Sequence, residues 1–317
     1  MTLLARNEAD IIESHLSFHL NAGVDFVVAI DNGSDDETTD ILESYAYDGR
    51  VDLTRDSGEL EQAEWVTRLA RRAATEFGAD WVINSDADEF WWPRGGSLKE
   101  IFAAIPARFG SVRGMWRHFA PRPGDGLFAE RMTVRVCNPG ADNNSPYSPR
   151  YKTAHRADPG VTVRHGNHTV EGRDLRPLPG WYPIDVLHFP IRSLEQCREK
   201  YVRWWQLAPS QFRTAAHDAH SAGRMREFYE SYVIDDGALA NGLADGSLAV
   251  DPRLRDALRA LRAGEPLTFV DAPVDAAYLS ELAALEAADP HVLAQGQADA
   301  LEARLAAVEQ TWLSPRI

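Results

Sequence analysis

Residues 81–90 read Trp81-Val82-Ile83-Asn84-Ser85-Asp86-Ala87-Asp88-Glu89-Phe90, an apolar run that passes directly into three carboxylates. The first four residues have the composition of a buried strand. If extended geometry persists, Asp86 and Asp88 project to the same side with a spacing of ~6.5–7 Å, so both face one ligand. Two carboxylates held together repel, and the pair calls for a cation. Hard oxygen donors at that position suit Mg²⁺ or Mn²⁺ shared with a substrate phosphate. The carboxyl end of a strand is also where open α/β sheets place their ligands. The bland reading is a solvated acidic loop. An EF-hand is excluded, because its glycine and spaced oxygen donors are missing.

Upstream, short apolar runs at 2–5, 26–30, 51–54 and 81–84 alternate with amphipathic stretches, the pattern of a βαβ series feeding a largely parallel sheet. Ile11, Ile12, Leu16 and Leu20 recur at helical spacing, and Gly23 stands where a helix C-terminal glycine belongs. Helices are expected over 35–45 and over 60–77, the second with Trp65, Leu69 and Ala73 four apart. Downstream, strand-like segments at 112–116, 132–136, 161–164 and 184–189 are separated by Pro- and Gly-rich loops, of which 138–150 is the strongest. Helical patterns return at 194–205, 224–234 and 254–263, and 276–312 reads as an amphipathic pair broken near Pro290. The expected class is α/β, a mixed and mainly parallel sheet flanked by helices. The pattern reads as an α/β domain through about residue 190 with a helical cap behind it.

Composition narrows the partners. The 317 residues carry 33 basic and 48 acidic side chains, a formal charge of −15 that disfavours nucleic acid. An anionic small molecule would need a metal or a local basic pocket. No apolar run approaches the ~20 residues of a membrane span, and the opening lacks the basic and apolar regions of a secretory signal. Two cysteines, Cys137 and Cys197, exclude a disulfide scaffold and a thiolate zinc cluster, and a cytoplasmic location is expected.

Four motifs then appear in order: Leu4-Ala5-Arg6-Asn7-Glu8-Ala9-Asp10; His19 with Gly23-Val24-Asp25; Ile30-Asp31-Asn32-Gly33-Ser34-Asp35-Asp36; and Asp86-Ala87-Asp88-Glu89-Phe90. They resemble family-2-type glycosyltransferases with the GT-A fold, in the subgroup whose D-x-D motif reads D-A-D-E-F. Tyr151-Lys152-Thr153, the cluster His165-Gly166-Asn167-His168, and Leu187-His188-Phe189-Pro190-Ile191-Arg192-Ser193 with Lys200 are similar to that subgroup's later motifs. The likeness spans residues 1–205 and implies a main domain there, with a nucleotide-binding half at 1–110 and an acceptor half at 111–205, followed by a helical extension at 206–317.

The resemblance implies a nucleotide cradle that sets Ala5, Arg6, Asn7 and Glu8 against base and ribose, with Asp31 recognising the nucleoside. It implies Asp86 near the ribose or metal, Asp88 on the metal and His188 as a ligand from a later strand, with Mn²⁺ or Mg²⁺ as cofactor. Arg192, Ser193, Lys200 and Lys152 would then bind diphosphate. Each position keeps a plainer reading. Asn7 suits a helix N-cap with Glu8 and Asp10 in the first turn. Asn32-Gly33 is a turn signal that makes Asp31 a turn residue. A histidine on an apolar strand suits the core, and Ser193 suits an N-cap with Gln196 three residues on.

A site of this kind stabilises a departing nucleoside diphosphate while a base deprotonates an acceptor hydroxyl. The activity expected is hexosyl transfer from a nucleotide sugar to a hydroxyl acceptor, with inversion. His168, Glu171 and Asp185 are the candidate bases, and none matches a diagnostic motif. Two other classes compete, a nucleotidyltransferase and a non-catalytic sugar- or nucleotide-binding module; the first normally carries a Gly-rich loop after its first strand, which this chain lacks. His15 and His19, four apart without the acid of an H-E-x-x-H site, are read as packing residues. Trp91 and Trp92 suit sugar stacking or core filling equally, as do Trp116, Trp181, Trp204 and Trp205. The terminal Ala/Leu segment is read as covering the core or mediating self-association.

Overall fold

The central early apolar runs become strands buried on both faces, while the edge run 51–55 is buried only at Val51. In Val27–Asp31 (β2), Val27 and Ala29 enter one core while Val28 and Ile30 enter another. Thr2–Ala5 (β1), β2, Val51–Arg55 (β3) and Trp81–Asp86 (β4) pair in parallel in the order β3-β2-β1-β4. Helices Ile12–Asn21 (α1), Thr38–Tyr47 (α2) and Gln62–Thr75 (α3) connect them. The face of α3 expected from its spacing, Trp65, Leu69 and Ala73, is the face it buries. Gly23 follows α1 with φ +112, and an added Cβ would lie 3.0 Å from the Lys99 nitrogen, so both backbone sign and space require glycine.

The computed structural model describes residues 1–58, 62–124, 126–137, 147, 150–178, 184–207 (side chains to 201), 218–220 and 222–269. The expectations for 276–312, for most of the 138–150 loop and for the Trp181, Trp204 and Trp205 side chains lie outside these residues.

Past β4 the chain does not continue extended as the sequence suggests. Ala87 and Asp88 form a turn, and Glu89–Pro93 (β5) begins a new strand. Helix Leu98–Ala104 (α4), opened by a reciprocal Ser97/Glu100 capping box, leads to the long strand Ser111–Ala120 (β6). Phe128–Arg131 (α5), Val134–Val136 (β7), Tyr151–Arg156 (β8), the hairpin Thr162–Val163 (β9) and Val170–Glu171 (β10), and Ile184–His188 (β11) follow. Leu194–Leu207 (α6), Met225–Glu230 (α7), Asp236–Asp245 (α8), Leu248–Val250 (β12) and Arg253–Arg262 (α9) complete the described elements.

The main sheet is mixed, as expected. From β4 it continues through antiparallel β8 to β6, where β7 and β12 extend one edge and β11 pairs parallel with β6 and antiparallel with β5. Gly114 of β6 permits this crowding, since a Cβ there would lie 2.7 Å from Val186. The central core joins both halves: Leu3, Leu16 and Phe18 pack in one cluster with Phe90, Trp91, Val186 and Phe189, and with Leu254 and Leu258 of α9. Residues 248–262 are thus built into the α/β body. Among the described residues no helix is long and apolar enough to cross a membrane.

Candidate active site at the strand ends

Three strands bring the acidic motif and its partners into one row. The register of β11 sets His188 opposite Glu89 of β5 on one side and opposite His118 of β6 on the other. The Phe189 amide donates to the Asp88 carbonyl at 2.9 Å, which fixes the turn against the end of β11. Asp88, Glu89 and His188 are all buried and each offers one ligand atom within 4.8 Å of the others. His188 Nε2 lies 3.7 Å from Asp88 Oδ2, and the ring stacks on Trp116 with centroids 4.1 Å apart. On the far side His188 Nδ1 meets His118 Nδ1 at 3.0 Å.

Asp86 stands apart from this row because the turn intervenes. Its Oδ2 accepts from Lys152 at 2.6 Å, and its Oδ1 accepts from Asn167 at 3.1 Å and from Gln62 at 3.4 Å. Asn167 reaches it from a left-handed backbone, φ +59, inside the cluster that the sequence singled out. Glu89, which the sequence groups with Asp86 and Asp88 without assigning it as a ligand, lies beside Asp88 and His188. It accepts from Trp116 Nε1 at 2.9 Å and from Lys152 at 2.7 Å.

The cations expected at a diphosphate are held by carboxylates. Lys152 is buried between Asp86 and Glu89, and Arg192 is buried against Asp10 through two bonds of 2.7 and 2.8 Å and against Glu8 at 2.5 Å. Lys200, on α6, holds Asp88 Oδ2 at 2.5 Å and is the more exposed of the three, at 27%. Ser193 accepts from the Gln196 amide at 3.1 Å, its plainer role as a cap. Arg6 is exposed beside β1, whose last residue, Ala5, is buried.

The electrostatics follow from this packing. Burial pushes the Glu89 carboxyl up to about 8, since Lys152, its counter-ion, is shared with Asp86. Burial likewise raises Glu8 to about 7 against the pull of Arg192. Burial would also raise Asp88, but the charges of Lys200 and Arg192 hold it below the usual carboxylate range. Burial keeps His188 neutral, the form that ligates a metal.

Asn7 is not a helix cap. It sits in the left-handed region at φ +52, and its side chain exchanges hydrogen bonds with Asp35, while the Glu8 amide donates to Thr38. Asp31 ends β2 with both oxygens engaged, Oδ1 by Ser34 and Oδ2 by Thr39, so its turn role is filled. It also lines a cavity of about 300 Å³ with Gly33, Ser34, Thr39, Arg55, Asp56 and Ser57.

Of the candidate bases, the structure brings only His168 to Trp116. Its ring lies edge-on to that indole at 5.3 Å, and its Nδ1–H donates to the Tyr151 carbonyl at 2.7 Å, which leaves Nε2 with a lone pair. Burial, with Lys152 nearby, lowers it to about 3. Asp185 is three residues before His188, so alternation turns it to the opposite face of the sheet. There Arg94, Arg117 and Arg253 hold it at 2.7, 2.9 and 3.1 Å, and although burial alone would raise it, they keep it well below its usual range. A carboxylate so clamped is a structural ion, and the expectation of a base is corrected. Glu171 is also corrected: on the exposed hairpin it is paired through both oxygens with Arg164.

Sequence reasoning missed Gln62 and His118, and weighed Trp116 only as a stacking or core-filling ring. The register of β11 against β6 brings Trp116 and His118 to His188, and the start of α3 brings Gln62 to Asp86; no local motif announces either.

No family model matches the chain, and no curated protein does. Among solved structures it is similar to S. aureus TarS, 14% identical with a TM-score of 0.32, over 66% of this chain and 40% of TarS. It is similar to the mannosyltransferase PcManGT from Pyrobaculum calidifontis, solved in complex with GDP-Man and Mn²⁺, at 15% identity and a TM-score of 0.31, covering 95% of this chain and 85% of that one. It is also similar to glucosyl-3-phosphoglycerate synthase from Mycobacterium tuberculosis, at 16% identity and a TM-score of 0.26, covering 49% and 55%. At such scores these likenesses carry no function to this chain.

Proposed function

We propose that this protein is a divalent-metal-dependent glycosyltransferase that moves a sugar from a nucleoside-diphosphate donor to an acceptor hydroxyl with inversion. The observation that carries the reading is the convergence of Asp88, Glu89 and His188, two carboxylates and a neutral imidazole, at the end of the central strands. That donor set fits Mn²⁺ or Mg²⁺. Charge supports the fit. Glu8, Asp10, Asp86, Asp88 and Glu89 face Lys152, Arg192 and Lys200; burial raises Glu8 to about 7 and Glu89 to about 8, and a divalent ion beside them would favour their ionised forms, leaving two negative charges over the three cations as its complement.

Register supports a nucleotide alongside. Ala5 of β1 pairs with Asp31, and Leu4 pairs with Asp86, so the Asp31 cavity opens about two strand spacings, roughly 10 Å, from the acidic turn. A nucleoside in that cavity would present its diphosphate toward Asp88. Asp88, Glu89 and His188 would hold the ion, whose charge opposes that of the leaving diphosphate. Lys200 orients the phosphates, and His168 Nε2 accepts the proton of the acceptor hydroxyl. With the nearby carboxylates engaged by cations, a single displacement by the activated hydroxyl is the path we assign, and it inverts the anomeric centre.

A thermal-shift panel of nucleoside diphosphates with and without Mn²⁺ tests the reading. Stabilisation by one nucleotide that requires the metal and vanishes in Asp88→Asn is expected. Metal-independent stabilisation that survives the substitution would refute it.

A further inference from the structure

We propose that Lys200 is an exchangeable counter-ion of Asp88: it neutralises the carboxylate in the metal-free protein, releases it to an arriving divalent ion, and turns its ammonium to the donor's phosphates. The proposal rests on the metal reading above and deepens it.

The three cations of the site are not equivalent. Lys152 is 1% exposed, bridges Asp86 and Glu89, and packs with Nζ 5.1 Å from the Trp116 ring centre. Arg192 is equally buried and joins Asp10 and Glu8. Withdrawing either would strand two carboxylates at once. Among the described residues Lys200 holds one carboxylate oxygen, keeps a quarter of its side chain in solvent, and makes its second contact, a long one of 3.5 Å, to the Pro190 carbonyl. Its four-carbon stem swings at little cost, whereas a guanidinium locked in paired bonds does not.

The oxygen that Lys200 holds is also the one 3.7 Å from His188 Nε2. A divalent ion shared by Asp88 and His188 through that oxygen therefore contends with the ammonium for it, because the two cations repel each other at that separation. Ion binding and departure of Lys200 are one coupled event. Once a donor is bound, its diphosphate supplies the negative charge that the displaced ammonium needs. Lys200 consequently opposes binding of the ion alone and favours binding of a nucleoside diphosphate to the loaded site. These are opposite signs from one side chain, which a purely structural lysine would not produce.

The test uses the full chain and Lys200→Met, which keeps the stem and removes the charge. Mn²⁺ binding is measured alone by electron paramagnetic resonance, and then binding of UDP and GDP at saturating Mn²⁺ by calorimetry. Lys200→Met is expected to bind Mn²⁺ about tenfold more tightly and the preferred nucleotide about tenfold more weakly than the parent. Lys200→Gln should show the same pair of signs, which guards against a folding defect peculiar to one variant. Two affinities that fall together, or an unchanged affinity for Mn²⁺, overturn the exchange. Mn²⁺ binding that survives Asp88→Asn overturns the metal reading and the exchange with it, whereas Asp88-dependent binding with the wrong signs at Lys200 overturns the exchange alone.

Discussion

Lys152 and Asp185 show how a titratable residue is assigned by what surrounds it. Both have the chemistry to act on a ligand, yet each is sealed among opposite charges: Lys152 by Asp86 and Glu89, Asp185 by three arginines. Removing one member of a buried ion cluster leaves the others uncompensated, a loss of about 3–5 kcal/mol. Asp185→Asn is therefore expected to lower stability by that amount in urea denaturation and to leave the affinity for nucleoside diphosphate unchanged. A stable variant with transfer reduced a hundredfold would mean that Asp185 is the base after all. His168→Gln should do the opposite. It keeps stability and nucleotide affinity and loses about 10²–10⁴-fold in transfer rate, the usual contribution of a general base.

At the scale of elements, α1 carries the sharpest commitment. His15 and His19 are buried against the sheet. His19 Nδ1–H donates to the His15 carbonyl at 2.8 Å, and its Nε2 accepts the Trp91 amide at 3.0 Å, so one neutral tautomer ties α1 to β5. Burial lowers His15 to about 3 and His19 well below its usual value. A base that is harder to protonate in the fold than in the unfolded chain stabilises fully above the unfolded value of about 6.5, and loses that contribution as pH falls toward the folded one. Glu8 and Glu89, raised by burial, act in the other sense, but His155 and His168, lowered to about 4 and 3, join the histidines. Stability in urea is expected to drop between pH 6.5 and 4.5. The imidazole proton resonances of His15 and His19 should not move over that interval, and a midpoint near 6 for either ring would contradict the packing.

Across the whole molecule, the last described helix belongs to the first core. Leu254 and Leu258 of α9 pack with residues from β1 and α1, and β12 pairs with β7. Leu258→Ala is accordingly expected to cost about 2–4 kcal/mol by chemical denaturation, in a single transition shared with the strands at the other end of the chain. A second, separate transition would mark the region as an independent unit. The sequence by itself determined the α/β class, four strands and three connecting helices of the first half, and the position of the acidic motif at a strand end, because buried strands and amphipathic helices are written in neighbouring positions. It also contained His188, Lys152, Lys200 and His168 as motifs without their partners. Only the tertiary structure decided that Glu89, and not Asp86, joins Asp88 and His188, that Asp185 faces away, and that Arg192 and Lys152 are spoken for. Those outcomes depend on the turn at Ala87 and on the register of β11 between β5 and β6, and register is a relation between segments about a hundred residues apart that no local pattern encodes.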